Sequence, residues 1–153
     1  MNDVQPIENN DIMGKYQKSE NILSDIQNII DASQKEAYRA VNMSLVQRNW
    51  LIGYRIAEEE MGGENRAEYG ANIIKKLSKE LTAVYGKGFT KYNLYSFYAF
   101  YKAYPQIFQT LSGKSDINLS WSHYAILSKI FDINARNWYE SEAIRETWSV
   151  RTL

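Results

Sequence analysis

Apolar residues recur through positions 66–85 at steps of three and four, with Tyr69 or Gly70, Ile73, Ile74, Leu77, Leu81 and Val84 on one side. That spacing is the apolar face of an amphipathic α-helix. The run breaks at Gly86-Lys87-Gly88-Phe89-Thr90, where two glycines can adopt positive φ at little steric cost and Thr90 can cap a following helix. A second helix is therefore predicted from Lys91 to the stop at Pro105. Leu94, Phe97, Tyr98 and Tyr101 fall on one side of it, leaving Lys91, Tyr92, Asn93, Tyr95, Ser96, Ala99 and Lys102 partly or wholly outward. Two helices joined by a few residues containing Gly have the sequence form of a helix-turn-helix, here spanning 65–104.

Upstream, a helical pattern runs from 21 to 61 through Ile22, Ile26, Ile29 and Ile30, then Tyr38, Val41, Leu45, Ile52 and Ile56. It reads as one helix of about 40 residues or as two with a kink near 31–33, ended by Gly62-Gly63. Residues 1–18 are polar and unpatterned and are expected to form a loose or disordered tail. Downstream, Ser120 and Asp132 are cap candidates for two further helices within 120–147. Strand patterns are nearly absent, and only 108–119 could form a small β wing. The expected fold is all-α, a single helical domain over 19–153 with a helix-turn-helix-like core.

Composition adds exclusions. The 153 residues are 44% apolar and 14% aromatic, enough for one sizeable core. The absence of Cys excludes disulfides, a Cys nucleophile and Cys-ligated zinc. The N-terminal residues lack the basic start and apolar run of a signal peptide, and no apolar run approaches the roughly 20 residues of a membrane span, so no membrane association and a cytoplasmic location are expected.

Charge changes the picture further. The 18 basic and 18 acidic residues cancel overall, yet residues 66–102 hold seven basic residues against two acidic, residues 1–65 hold six against eleven, and residues 103–153 hold five of each. A middle segment at +5 points to an anionic partner, with DNA or RNA the natural candidate. Lys75, Lys79, Lys87 and Lys102 are the expected phosphate contacts. Lys91, Asn93 and Ser96 are the expected base-edge contacts, because Asn pairs bidentately with adenine and Lys reaches guanine. Among the aromatic residues of 92–104, most rings should be core, leaving Tyr92 and Tyr95 for contact.

Candidate chemistry is sparse. The sole histidine, His123, reads as a structural residue. The Glu58–Glu60 cluster spreads around a helix axis and has no His or Cys at ligand spacing, so a solvated helix end is expected and no metal. Gly86-Lys87-Gly88 lacks the remainder of a phosphate-binding loop. No catalytic residue and no cofactor are therefore assigned. Trp50, Trp121 and Trp138 are expected in packing, with Trp148 a candidate for exposed apolar surface.

Residues 41–58 (VNMSLVQRNWLIGYRIAE), 68–70 (EYG), 77–81 (LSKEL), 86–95 (GKGFTKYNLY), 119–123 (LSWSH) and 148–151 (WSVR), in that order, resemble the N-terminal domain of the YhcG-type nuclease family. The resemblance runs from about residue 34 to the end. It implies a helical, helix-turn-helix-like DNA-binding module that in the family precedes a catalytic domain of the PD-(D/E)XK type. The catalytic acids and lysine of that domain have no matching positions here, so the chain is expected to be non-catalytic on its own and to work with a separate nuclease domain or subunit. The rival reading is a protein–protein or oligomerisation module, including a homodimer, that uses the long N-terminal helix.

Overall fold

The computed structural model describes residues 12–60, 66–107 and 119–153. Among these residues there are five α-helices and no strand: α1 (Ile22–Glu60), α2 (Arg66–Tyr85), α3 (Lys91–Ala103), α4 (Trp121–Leu127) and α5 (Ile133–Arg145). The fold is all-α. The wing expected at 108–119 and the first eleven residues of the expected tail lie outside the described residues, apart from Leu119, which is buried.

The chain divides into two compact units, residues 1–44 and 45–153, and α1 contributes to both. In the first unit a short 3-10 turn, Ile12–Lys15, precedes α1. Asn21 Oδ1 accepts the Ser24 N–H at 3.1 Å, and Asp25 accepts both the backbone N–H and the hydroxyl of Ser19 at 3.0 and 2.6 Å. The first bond satisfies a donor of the helix's first turn that has no intrahelical partner, and the other two tie the residue two positions before the cap to that turn. No kink interrupts α1 at 31–33, where Asp31, Ala32 and Ser33 leave the backbone ladder intact.

In the second unit, α3 is the centre. Leu94, Phe97 and Phe100 are 0–2% exposed, and with Ile56 of α1 and Ile74 of α2 they hold the helices together. Gly53 explains how closely α1 approaches: a Cβ there would lie 2.1 Å from the Phe97 carbonyl oxygen and 3.1 Å from Tyr101 Cβ. Only a residue without a side chain permits that contact. One turn earlier, Trp50 donates its indole N–H to the Tyr104 carbonyl at 2.9 Å, which anchors the C-terminus of α3, and its ring meets Tyr101 edge-on at 5.5 Å. On another side Phe97 and Phe100 meet Trp121 of α4 at 5.4 and 5.3 Å, and Phe100 lies 5.2 Å from Tyr124. Such ring pairs add specific geometry to the area they bury.

Helix ends follow the expected capping residues. Gly86 has φ 86° and returns its N–H to the Thr82 carbonyl at 3.0 Å, closing α2. A 3-10 turn, Lys87–Phe89, follows, and Thr90 Oγ1 accepts the Asn93 N–H at 3.2 Å to open α3. Asp132 Oδ1 accepts from Asn134 and Ala135 at 2.8 and 3.1 Å to open α5. Ser120 opens α4 through a reciprocal capping box in which His123 fills the third helical position.

Three expectations about burial are corrected. Ser96, read as outward, is 8% exposed, because α3 is packed on several sides and not on one stripe alone. Val84, expected on the buried face of α2, is 73% exposed on the helix's last turn. Trp138, expected in packing, is 55% exposed on the outer face of α5, where it meets the half-buried Trp148 edge-on at 6.4 Å.

Candidate nucleic-acid interface

The connection between α2 and α3 carries the strongest concentration of exposed basic and aromatic side chains that the fold brings together. Lys87 stands in the 3-10 turn, Lys91 and Tyr92 occupy the first turn of α3, and all three are exposed. Asn93 is half-buried, and its side-chain amide donates to the Gly88 carbonyl at 3.2 Å. That bond braces the turn against α3 and commits part of the hydrogen-bonding capacity expected to face a base edge. Tyr95 is 46% exposed, whereas Ser96 is withdrawn into the packed face with its hydroxyl toward Tyr92.

Lys75 and Lys79 are exposed one turn apart on α2, opposite the buried Ile74. Lys102 sits near the far end of α3, about 16 Å along the helix from Lys91 at 1.5 Å per residue. Its ammonium lies 5.4 Å from the Tyr98 ring centroid. The nine expected contact residues therefore form a cluster at the turn (Lys87, Lys91, Tyr92, Asn93), a neighbour one turn along α3 (Tyr95), an α2 pair, an α3-end lysine and one buried serine.

Two basic residues that carried no weight in the sequence join the turn. Lys129, which follows α4, places its ammonium 4.8 Å from the Tyr92 ring centroid and donates to the Tyr92 hydroxyl. That bond, together with the charge behind it, lowers the Tyr92 phenol below its ordinary pKa. Arg48 of α1 lies with its guanidinium carbon 5.4 Å from the Phe89 ring centroid and donates twice to Asn49 Oδ1. A 37-residue separation from Tyr92 gave Lys129 no local signature. Only the packing of α4 on α3 brings it there.

The remaining ionisable groups are built into the scaffold. Nδ1 of His123 accepts the Ser120 N–H at 3.2 Å, so the ring proton resides on Nε2, which donates to the Trp148 carbonyl at 2.8 Å. Nδ1 is thereby held within the cap of α4, and Nε2 joins α4 to the C-terminal segment. Between α3 and α5, the Tyr104 hydroxyl reaches Glu140 at 3.5 Å, and the buried Arg136 lies over the Tyr104 ring while donating to the Ile130 carbonyl at 3.0 Å. Burial raises the Glu140 carboxyl, with the Tyr104 hydrogen bond and the Arg136 charge opposing. Burial and the Glu140 charge push Tyr124 up to about 12, and burial raises Tyr104 as well. Among the described residues no group of three His, Cys, Asp or Glu side chains could hold a metal ion. Nor is any helix long and apolar enough to cross a membrane.

In comparison with known proteins, residues 25–153 match the DUF1016 N-terminal domain, and the chain belongs to that family. Within it, the chain is 36% identical over 153 residues to the Escherichia coli (strain K12) protein named "Putative nuclease YhcG". That match covers 82% of this chain and 40% of the relative, in its N-terminal part. The chain thus spans well under half the length of the curated relative it matches. No solved structure matches it.

Proposed function

We propose that this chain is a DNA-binding module that is non-catalytic on its own and serves as the targeting domain of a restriction-endonuclease-like nuclease. The observation that carries this reading is the cluster at the α2–α3 turn, where the exposed Lys87, Lys91 and Tyr92 belong to a segment (66–102) whose local charge is +5 and Lys129, from outside that segment, lies over the Tyr92 ring. Lysines on a rigid turn neutralise phosphates and release counterions, which gives affinity without requiring base contacts. The name of the relative, a nuclease, fits the same partner. In this reading α3 is the recognition helix of a helix-turn-helix, entering the major groove by its N-terminal turn with Lys91 and Asn93 toward base edges. Lys75, Lys79, Lys87, Lys102 and Lys129 hold phosphates. Tyr92 and Tyr95 offer ring faces, and Ser96 acts through its packing and its contact with Tyr92. The nuclease chemistry belongs to a separate domain or subunit, and the module works in the cytoplasm.

The test is fluorescence anisotropy of the purified chain on a labelled duplex across a salt series. Saturable binding should weaken linearly in log–log form, by about 0.9 for each phosphate contacted. Changing Lys87 and Lys91 together to Glu should abolish it. Absence of binding at low salt would overturn the proposal and leave partner association through α1 as the better account.

A further inference from the structure

Among the described residues of the first unit, α1 carries an apolar seam that none of the others covers. Along α1, Leu23, Ile26, Ile30, Ser33, Ala37 and Ala40 follow alternating steps of three and four, which is the a/d spacing of a coiled coil. All six are exposed, with Leu23 at 63%, Ile26 at 46% and Ile30 at 50%. The residues flanking the seam include Ile22, Ile29 and Val41, exposed at 76, 40 and 61%. A solvated helix face does not ordinarily carry so many large aliphatic side chains in register.

We propose that this face is a self-association surface, on which the seam of a second copy of the chain packs antiparallel. Three observations select that occupant. The seam is graded, with three large residues in its first half and three small ones in its second. Antiparallel pairing about the midpoint between Asp31 and Ala32 sets Leu23 against Ala40 of the second copy, Ile26 against its Ala37 and Ile30 against its Ser33. Every layer then combines one large and one small side chain, the arrangement that fills space without voids. Parallel pairing would crowd three large layers at one end and leave three gaps at the other.

Charge agrees with that direction. Residues 20–31 carry Glu20, Asp25 and Asp31 with no basic residue. Residues 32–43 carry Lys35 and Arg39, and their Glu36 is engaged by Arg39 at 2.8 Å. Asp25, Asp31, Lys35 and Arg39 do not flank the seam, so they act at longer range, where an antiparallel pair lays the acidic half of each helix alongside the more basic half of the other and a parallel pair stacks like on like. Area sets the strength. The six large aliphatic side chains on and beside the seam expose on the order of 600 Å² per chain, so a pair buries roughly 1,200 Å², the lower end for a stable interface. The association is therefore weak, and readily reinforced by a shared DNA or a larger assembly.

Sedimentation equilibrium on the full chain should show mass rising from 17.8 kDa to twice that value across micromolar to sub-millimolar concentrations. Changing Ile26 and Ile30 together to Glu should hold the mass at 17.8 kDa with the thermal unfolding of the chain unmoved, since both side chains are exposed. The chain has no cysteine, so introduced ones report direction unambiguously. Leu23→Cys mixed with Ala40→Cys should form a disulfide-linked pair on oxidation, and neither variant should cross-link to itself. A chain that stays at monomer mass throughout, or a Leu23→Cys variant that links to its own kind, would overturn the proposal. The DNA-binding test reads a different surface, so the two proposals fail separately.

Discussion

Gly53 shows how much a single residue decides. Its missing side chain lets α1 touch the backbone of α3 at Phe97, and the neighbour in the way is a carbonyl group, not a rotatable side-chain end. Gly53→Ala must push the helices apart, and a loss of about 1–3 kcal/mol is expected, read as a lower urea midpoint. Tyr124 supplies a second residue-scale prediction. Its phenol is raised in the folded state to about 12, so its contribution is complete below the unfolded value near 10 and disappears as pH climbs through about 12. About 2–3 kcal/mol should be lost across that window, the linkage value of a two-unit shift. Tyr124→Phe should reduce this alkaline loss, leaving the part due to Tyr104, whose phenol is raised in the same direction. Glu140 runs by the same sign in mild acid: its raised carboxyl stabilises below the ordinary carboxylate range and costs stability as it ionises, so Glu140→Gln should flatten that limb of a pH–stability curve.

At the level of elements, what was legible in the chain was local. Gly86, Thr90, Ser120 and Asp132 act through bonds to residues at most four positions away, and each cap stands where its residue type suggests. What was not legible depends on neighbours from elsewhere. Ser96 is buried because α3 is surrounded by α1, α2 and α4, which a one-faced helical pattern does not express. Lys129 reaches Tyr92 only through the packing of α4, and nothing in the local pattern marks Gly53 as the point where the Phe97 backbone lies against α1. The caps are testable in turn. Ser120→Ala removes the acceptor for the His123 N–H and should cost about 1 kcal/mol in chemical denaturation. Gly86→Ala should cost a similar amount, since an L side chain at φ 86° is strained even where space is open.

For the whole molecule, zero net charge conceals a polar division between an acidic first part and a basic middle. If binding is electrostatic, the salt dependence counts the contacts. Lys87→Ala with Lys91→Ala should lower the log–log slope by about 1.8, and Lys129→Ala by a further 0.9 or so. An unchanged slope on losing Lys129 would confine the interface to the segment 75–102. The family match covers residues 25–153 and the match to the relative covers 40% of that protein's length, so the proposed nuclease partnership is tested by asking whether the chain stimulates cleavage by a supplied catalytic domain.

His123 offers one practical consequence. As the chain's sole imidazole, with each ring nitrogen held by a different segment, it is protected only while α4 and residue 148 stay joined. Acylation by diethyl pyrocarbonate should then proceed at the rate of local opening, and a single absorbance trace becomes a clock for how often the C-terminal segment comes away.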